Sequence, residues 1–354
     1  MKKKIINGIQ QIGIGTPTAQ KTFDWYRNLL GFDIKVFEDE AQAKLMTRYT
    51  DDEVRARHAI LSMNLNGGGG LEIWQYTSRT PQAASFDILF GDLGIHGMKI
   101  RCLDIKKAHA LLTEKGVNPG AIASSPIGVP HFYFKDPWGN QVEAVHDNYC
   151  FSPQDSSFGG VMGVSIGVTA MDESISFYSN LLGFDDLVYD ESGVFEDLKA
   201  VAGGDGNYRR VLLRHKPRQA GGFSNLLGPT EIELFQALDR PVNKIYADRS
   251  WGDLGYIHLC FDVAGMDLLR EECKAFGKPF TVDSSNSFDM GDAAGHFSYI
   301  EDPDGTLIEF VETHKVPILK KFGIFINLKK RDPLKPLPNW IVKSMKIHRV
   351  KGDS

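Results

Sequence analysis

The chain is poor in the features that mark most specialised classes. Four cysteines (Cys102, Cys150, Cys260, Cys273) among 354 residues are too few and too scattered for a disulfide framework. No CxxC pair or Cys/His cluster is present, so a structural zinc site of the finger type is excluded. No run approaches the roughly 20 apolar residues that a membrane span needs. The opening MKKKIINGIQ carries lysines without an apolar stretch behind them, so it does not read as a secretory signal. There is no GxxxxGK[ST] phosphate loop. The acidic majority of the chain lacks a basic stripe along which a nucleic acid could run. What remains has ordinary composition, 42% hydrophobic and 24% charged, and a reducing cytoplasm is the expected compartment.

Charge is unevenly spread. From Lys315 to Ser354 there are 11 Lys/Arg and 2 Asp/Glu, leaving 29 basic and 43 acidic residues in the rest. A tail of +9 thus follows a body near −14. Its lysines alternate with Ile318, Leu319, Phe322, Ile324, Phe325, Ile326, Trp340 and Ile341. Such a tail is expected either to pack on its own acidic body or to touch an anionic surface such as a membrane.

Repetition organises everything before that tail. FDWYRNLLGFD (Phe23–Asp33) returns as ISFYSNLLGFD (Ile175–Asp185), GDLG at Gly91 returns at Gly252, and DPWGNQVEAV (Asp136–Val145) returns as DPDGTLIEFV (Asp302–Val311). The offsets are 152, 161 and 166 residues, so the halves are copies with small insertions. Within each half the pattern is strand, helix, then three strands. Thr16-Pro17 opens the first helix; Phe23, Tyr26 and Leu30 share one face, and Gly31 provides the stop. A leaner version fills the rest of each half and ends in a hairpin around Asp-Pro-x-Gly, a type I turn sequence. The expectation is an α+β protein of four βαβββ modules (5–78, 91–147, 160–238 and 252–313). They are paired as domains 1–150 and 158–314, with a Ser/Gly-rich linker between and the basic tail 315–354 after.

The aromatic–Tyr–x–x–Leu-Leu-Gly-Phe helix and the later Asp-Pro-x-Gly-x-x-x-Glu resemble the vicinal oxygen chelate superfamily. That group includes glyoxalase I, bleomycin-resistance proteins and extradiol dioxygenases. The resemblance covers about Gly8 to Glu312. It implies two modules facing each other across a cleft, with metal ligands on the first and last strands of each. Strand alternation gives the same positions from the residues alone. Gln11 lies opposite Ile12 and Ile14, and Glu72, Glu143, Glu233 and Glu309 each lie between apolar neighbours. Glutamate is disfavoured in strands, so four at equivalent places suggest a cleft-facing role. The first-strand equivalents read Gln11, Gly97, Gly163 and Tyr256. His96 lies one residue out of phase and His258 two residues beyond Tyr256.

Two sites are therefore expected. Domain one offers Gln11, Glu72, His96 and Glu143 as ligands of a divalent metal (Zn, Ni, Mn or Fe), with Glu72 or Glu143 moving a proton. The second cleft offers Glu233, Tyr256, His258, Tyr299 and Glu309. The resemblance implies a metal-assisted lyase or isomerase acting on a small substrate with vicinal oxygens. The alternative is a metal-free protein that sequesters an aromatic or amphipathic ligand. Extradiol-type ring cleavage is disfavoured, because its two histidine positions read Gly163 and Tyr256. His131, His296, Tyr133 and Tyr299 are expected to be structural, and the loop Ala202–Pro229 to overlie the second cleft.

Overall fold

A computed structural model describes residues 4–285, 288–290, 293–319 and 324–351. Phe322 of the tail lies outside them. Module one comprises β1 (Ile5–Gly15), α1 (Ala19–Leu30), β2 (Ile34–Gln42), β3 (Ala56–Met63) and β4 (Gly70–Tyr76). Module two comprises β5 (Gly94–Cys102), α2 (Ile105–Glu114), β6 (Ala123–Ser124), β7 (Pro130–Lys135) and β8 (Gln141–His146). Module three comprises β9 (Phe158–Gly167), α3 (Met171–Ser176) continued by a π-type turn at Phe177–Leu181, β10 (Asp186–Gly193), β11 (Tyr208–Arg214), the short α4 (Ser224–Leu227) and β12 (Glu231–Ala237). Module four comprises β13 (Gly255–Ala264), α5 (Met266–Ala275), β14 (Val282–Asp283), β15 (Phe288–Met290), β16 (Ala293–Glu301) and β17 (Leu307–Thr313). Strands β18 (Lys315–Leu319) and β19 (Ile324–Asn327) and helix α6 (Asn339–Lys343) belong to the tail.

The apolar face of α1 is buried as its spacing predicts, through Phe23, Tyr26 and Leu30. Gly31 ends the helix with φ +74°, which a residue with a Cβ adopts only at a cost. Its copy Gly183 has φ +77°. Among the described residues no helix is long and apolar enough to cross a membrane.

The strands form two large sheets, and here the structure departs from the expected pairing. One sheet runs β14-β16-β17-β13-β1-β4-β3-β2, with β15 on β16; the other runs β10-β11-β12-β9-β5-β8-β7-β6. Module one therefore shares a sheet with module four, and module two with module three. The junctions are antiparallel: β1 lies against β13 and β5 against β9. Consecutive modules still touch, helix to turn. Tyr26 Oη donates to Asp136 at 2.8 Å and Tyr178 Oη to Asp302 at 3.0 Å, so the repeated helix tyrosine meets the repeated turn aspartate of the next module. Burial pushes Asp302 up to about 6 despite the bonds it accepts.

A second repeated motif ties the sheet partners. The Asp of each GDLG is buried and pairs with an arginine just past the fourth strand of the other module in its sheet, Arg79 with Asp253 and Arg240 with Asp92. Arg240 lies 161 residues after Arg79 and Asp253 161 after Asp92, so the clasp was duplicated whole.

Candidate metal centre

The register places the site. Where β1 meets β13, Gln11 stands opposite Cys260 and Gly13 opposite His258. On the outer side of each, β4 sets Glu72 beside Gly13 and β17 sets Glu309 beside Cys260. The β1–β13 ladder skips Ile257 between His258 and Tyr256. This bulge turns His258 into the cleft and Tyr256 into the core between the sheets. A Cβ on Gly13 would fall 2.4 Å from His258 Cε1, so only glycine leaves the imidazole this position.

Glu72, His258 and Glu309 bring one ligand atom each to within 4.8 Å of one another. His258 Nε2 lies 3.0 Å from Glu309 Oε2 and 3.3 Å from Glu72 Oε2. Gln11 Nε2 donates to the same Glu72 oxygen at 3.2 Å. On the far side of the ring, Tyr299 Oη approaches His258 Nδ1 at 3.5 Å. His258 is fully buried, while the Glu72 side chain retains 14% exposure. Burial opposes the charged imidazole, but Glu309 and Glu72 outweigh it and push His258 up to about 9. Nε2 of His258 and Oε2 of Glu309 nevertheless have no aligned hydrogen-bond partner among the described residues. Two carboxylate oxygens and an imidazole nitrogen that converge on one buried point fit a divalent cation.

Aromatic side chains close the cleft. The Trp251 ring lies nearly parallel to the imidazole of His258 (15° between planes) and packs edge-on to Trp74 at 4.4 Å. The β2–β3 connection arches over it. There Tyr49 O accepts from Trp251 N, and Tyr49 Oη lies 2.7 Å from both Glu301 Oε1, to which it donates, and Thr281 Oγ1, from which it accepts, both in module four. A cavity of about 320 Å³ adjoins this lid, lined by Tyr49, Trp251, Ile257, Glu301 and Leu307 among others, with Arg48 and Lys244 at its edge.

The other sheet carries the remaining glutamates, and there the space is filled. Lys99 Nζ lies 2.8 Å from Glu231, 2.5 Å from Glu233 and 3.6 Å from Glu143. Arg210 binds Glu233 at 2.6 Å and Asp197 at 2.7 Å, and Arg214 binds Glu231 at 2.7 Å. His131 bridges Glu143 (2.7 Å) and Asp197 (3.2 Å). Burial would keep its imidazole neutral, but Asp197 and Glu143 push it up to about 9. Four carboxylates thus face three fixed cations and a protonated imidazole, a balanced cluster.

The expected ligand set is therefore divided. Gln11 and Glu72 are together, and Glu143 lies in the other sheet with Glu233. His96 packs against Phe90 beside the second cleft, where burial pushes it down to about 4. Of the expected second-cleft set, His258, Tyr299 and Glu309 join Gln11 and Glu72, whereas Tyr256 donates its hydroxyl to Gln141 O at 2.7 Å in the core. The physical reason is the sheet partnership: ligands converge across β1–β13 and not between consecutive modules. The 161-residue offset of GDLG maps Gly97 onto His258 and Lys99 onto Cys260, and that signal in the sequence identifies His258 as the true counterpart. The roles of Lys99, Arg210 and Asp197 had no comparable sequence signal.

Comparison with solved structures gives the same architecture. Maize glyoxalase I superposes with a TM-score of 0.52 at 13% identity, over 98% of this chain and 96% of the maize chain. A variant of that enzyme gives 0.54 at 12% identity over 87% and 94%. A candidate dioxygenase from Bacillus subtilis gives 0.57 at 14% identity, over 88% and 86%. Likeness at such identities shows the fold alone. No curated protein matches the chain. The family model for the glyoxalase/bleomycin resistance protein/dioxygenase superfamily matches residues 8–144 and 161–310, and the chain belongs to that superfamily.

Proposed function

We propose that the cleft between β1 and β13 is the active site of a metal-assisted lyase or isomerase acting on a small substrate with two adjacent oxygens. One observation carries the reading: Gln11, Glu72, His258 and Glu309, from four different strands, converge on one buried point where two carboxylates share a single imidazole. These four would hold a divalent cation such as Zn, Ni, Mn or Fe, because amide, carboxylate and imidazole donors together suit that group. Such a cation, when bound, supplies Lewis-acid polarisation of vicinal oxygens.

The chain's own groups supply the rest. Glu72 is the most exposed of the four and is tied only by contacts inside the site, so it is the group free to take a proton from a substrate carbon and return it to the neighbouring one. Glu309 lies on β17 directly across from Tyr299, which makes it the fixed partner. Tyr299 orients His258 through Nδ1. Trp251 and Trp74 wall the site against water. Extradiol-type ring cleavage, for which the resemblance implies two histidines, finds only His258 here.

Metal analysis of protein purified without chelators tests the proposal. About one divalent ion per chain is expected, with loss in His258→Ala and Glu309→Gln that keep their far-UV circular dichroism. A chain that takes up none of the four metals on dialysis would overturn it and favour the ligand-sequestering alternative.

A further inference from the structure

The tail is fastened to the body along one side only. Leu337 and Val342 are buried with Ile34, Phe151, Leu226 and Leu227, and Ile341 is buried beside Val342 in the chain. Arg349 pairs with Asp33 at 3.0 Å, and Val350 N donates to Asp33 O at 2.9 Å. The opposite side is bare. Trp340 is 63% exposed and Ile347 72%, the two highest values among the exposed large hydrophobic residues. Helix α6 runs straight into a tighter turn, Ser344–His348, so positions 340, 343, 344 and 347 fall on one face. Lys346 is exposed beside that pair, with Leu334 and Lys335 nearby in the chain, while Lys343, also exposed, has its Nζ 5.8 Å from the ring centroid of Phe151 on the fastened side. Among described residues 325–351, Asp332 is the single acidic group against eight Lys/Arg. No carboxylate pairs with Lys335, Lys343 or Lys346 among the described residues.

We propose that this face seats on an anionic lipid bilayer, with Trp340 and Ile347 entering the headgroup layer and the lysines meeting the lipid phosphates and carboxylates. The argument is one of area and charge. A stable protein partner needs about 800 Å² on each side, with an apolar centre. Two separated apolar side chains do not provide that. Membrane attachment is less demanding: an interfacial tryptophan plus a few basic residues suffices, each basic residue strengthening binding roughly fivefold near an anionic leaflet. The acidic body, near −14 without the tail, is repelled by the same surface and so fixes which side approaches.

The test is co-sedimentation of the full chain with phosphatidylcholine vesicles, with and without phosphatidylserine. Binding is expected only with phosphatidylserine, weakening as salt rises. Trp340→Ala/Ile347→Ser should reduce it about tenfold or more, and Lys335→Glu/Lys346→Glu at least as much. These side chains are exposed, so the variants should melt like the parent. Absence of binding to anionic vesicles at low salt, or equal binding by the Trp340/Ile347 variant, would overturn the proposal. So would a dimer that the same variant abolishes, which would assign the face to a second copy of the chain.

Discussion

The two clefts are built on the same register and meet opposite electrostatic needs. Glu72 and Glu309 in one correspond to Glu233 and Glu143 in the other, and the strands that bring them in pair identically. Between them, the first cleft has Gln11, Gly13, His258 and Cys260, where the second has Gly163, Ser165, Gly97 and Lys99. Two carboxylates facing each other out of water need positive charge. The second cleft provides it from Lys99 and Arg210. The first offers a single imidazole, so its carboxylates remain short of one cation. The duplication thus preserved a demand for charge and met it once from within the chain and once, in our reading, from solution.

The largest effect is expected from removing the internal cation. Lys99→Met leaves Glu231 and Glu233 facing each other with fewer partners, and losing one member of a buried ion cluster costs roughly 3–5 kcal/mol. Urea unfolding should show it, and added divalent cation should restore part of the loss, since a ligand that binds only the folded form stabilises it. An unchanged midpoint would mean that the Lys99 contacts contribute nothing net.

A steric exchange sharpens the comparison next. Gly13 faces His258, while its counterpart Ser165 faces Gly97, so bulk and space have traded sides of the same ladder. Gly13→Ser should displace the imidazole and cost about 1–3 kcal/mol, as overpacking does. It should also remove bound metal. Adding His258→Gly makes the pair of residues that cleft two already holds and relieves the clash, so His258→Gly should cost less stability in the Gly13→Ser background than alone, without restoring metal. If His258→Gly costs the same in both backgrounds, the two positions are not coupled and the trade is coincidental.

Protonation has a smaller expected effect and acts in both clefts, since His258 is raised to about 9 as well. His131 is raised from 6.5 to about 9 by its two carboxylates, against the effect of burial. A raised imidazole contributes stability that is full below pH 6.5 and lost as pH climbs through 9. Wild-type protein should therefore lose urea resistance across that interval, and His131→Gln should lose less over the same span. Parallel profiles for the two proteins would show that His131 is not protonated in the folded state.

Much of this was legible in the residues. The repeated Leu-Leu-Gly-Phe and Asp-Pro-x-Gly fixed four modules, and alternation placed all four glutamates on the correct strands, because a side-chain period of two is a local property. The 161-residue offset would have led to His258 as well. Sheet partnership was not legible. Strands β1, β5, β9 and β13 carry similar apolar alternation, so each could hydrogen-bond to any of the others. The contacts that discriminate, Arg79 with Asp253 and Arg240 with Asp92, link residues about 150 to 170 apart and leave no local trace. Lys99 was equally hidden, since a lysine in a strand ordinarily reads as an edge or a solvated face.

The lids give the smallest and most local difference. The connection between the second and third strands covers each cleft. In cleft two it carries Asp197, locked to Arg210 and His131 by buried ion pairs. In cleft one it is held by the Tyr49 hydroxyl on Thr281 and Glu301. A hydroxyl bonded to a carboxylate contributes about 1.5–3 kcal/mol, less than breaking a buried ion pair costs. Segment 43–55 should therefore exchange its amide hydrogens faster than 194–207, and Tyr49→Phe should speed the first segment alone by roughly tenfold. That order is the one the proposed active site requires, because His258 is fully buried and a substrate would reach it on opening of the lid. The reverse order, with the Asp197 segment opening first, would move the functional cleft to the side that already carries its own cation and would contradict the reading of both.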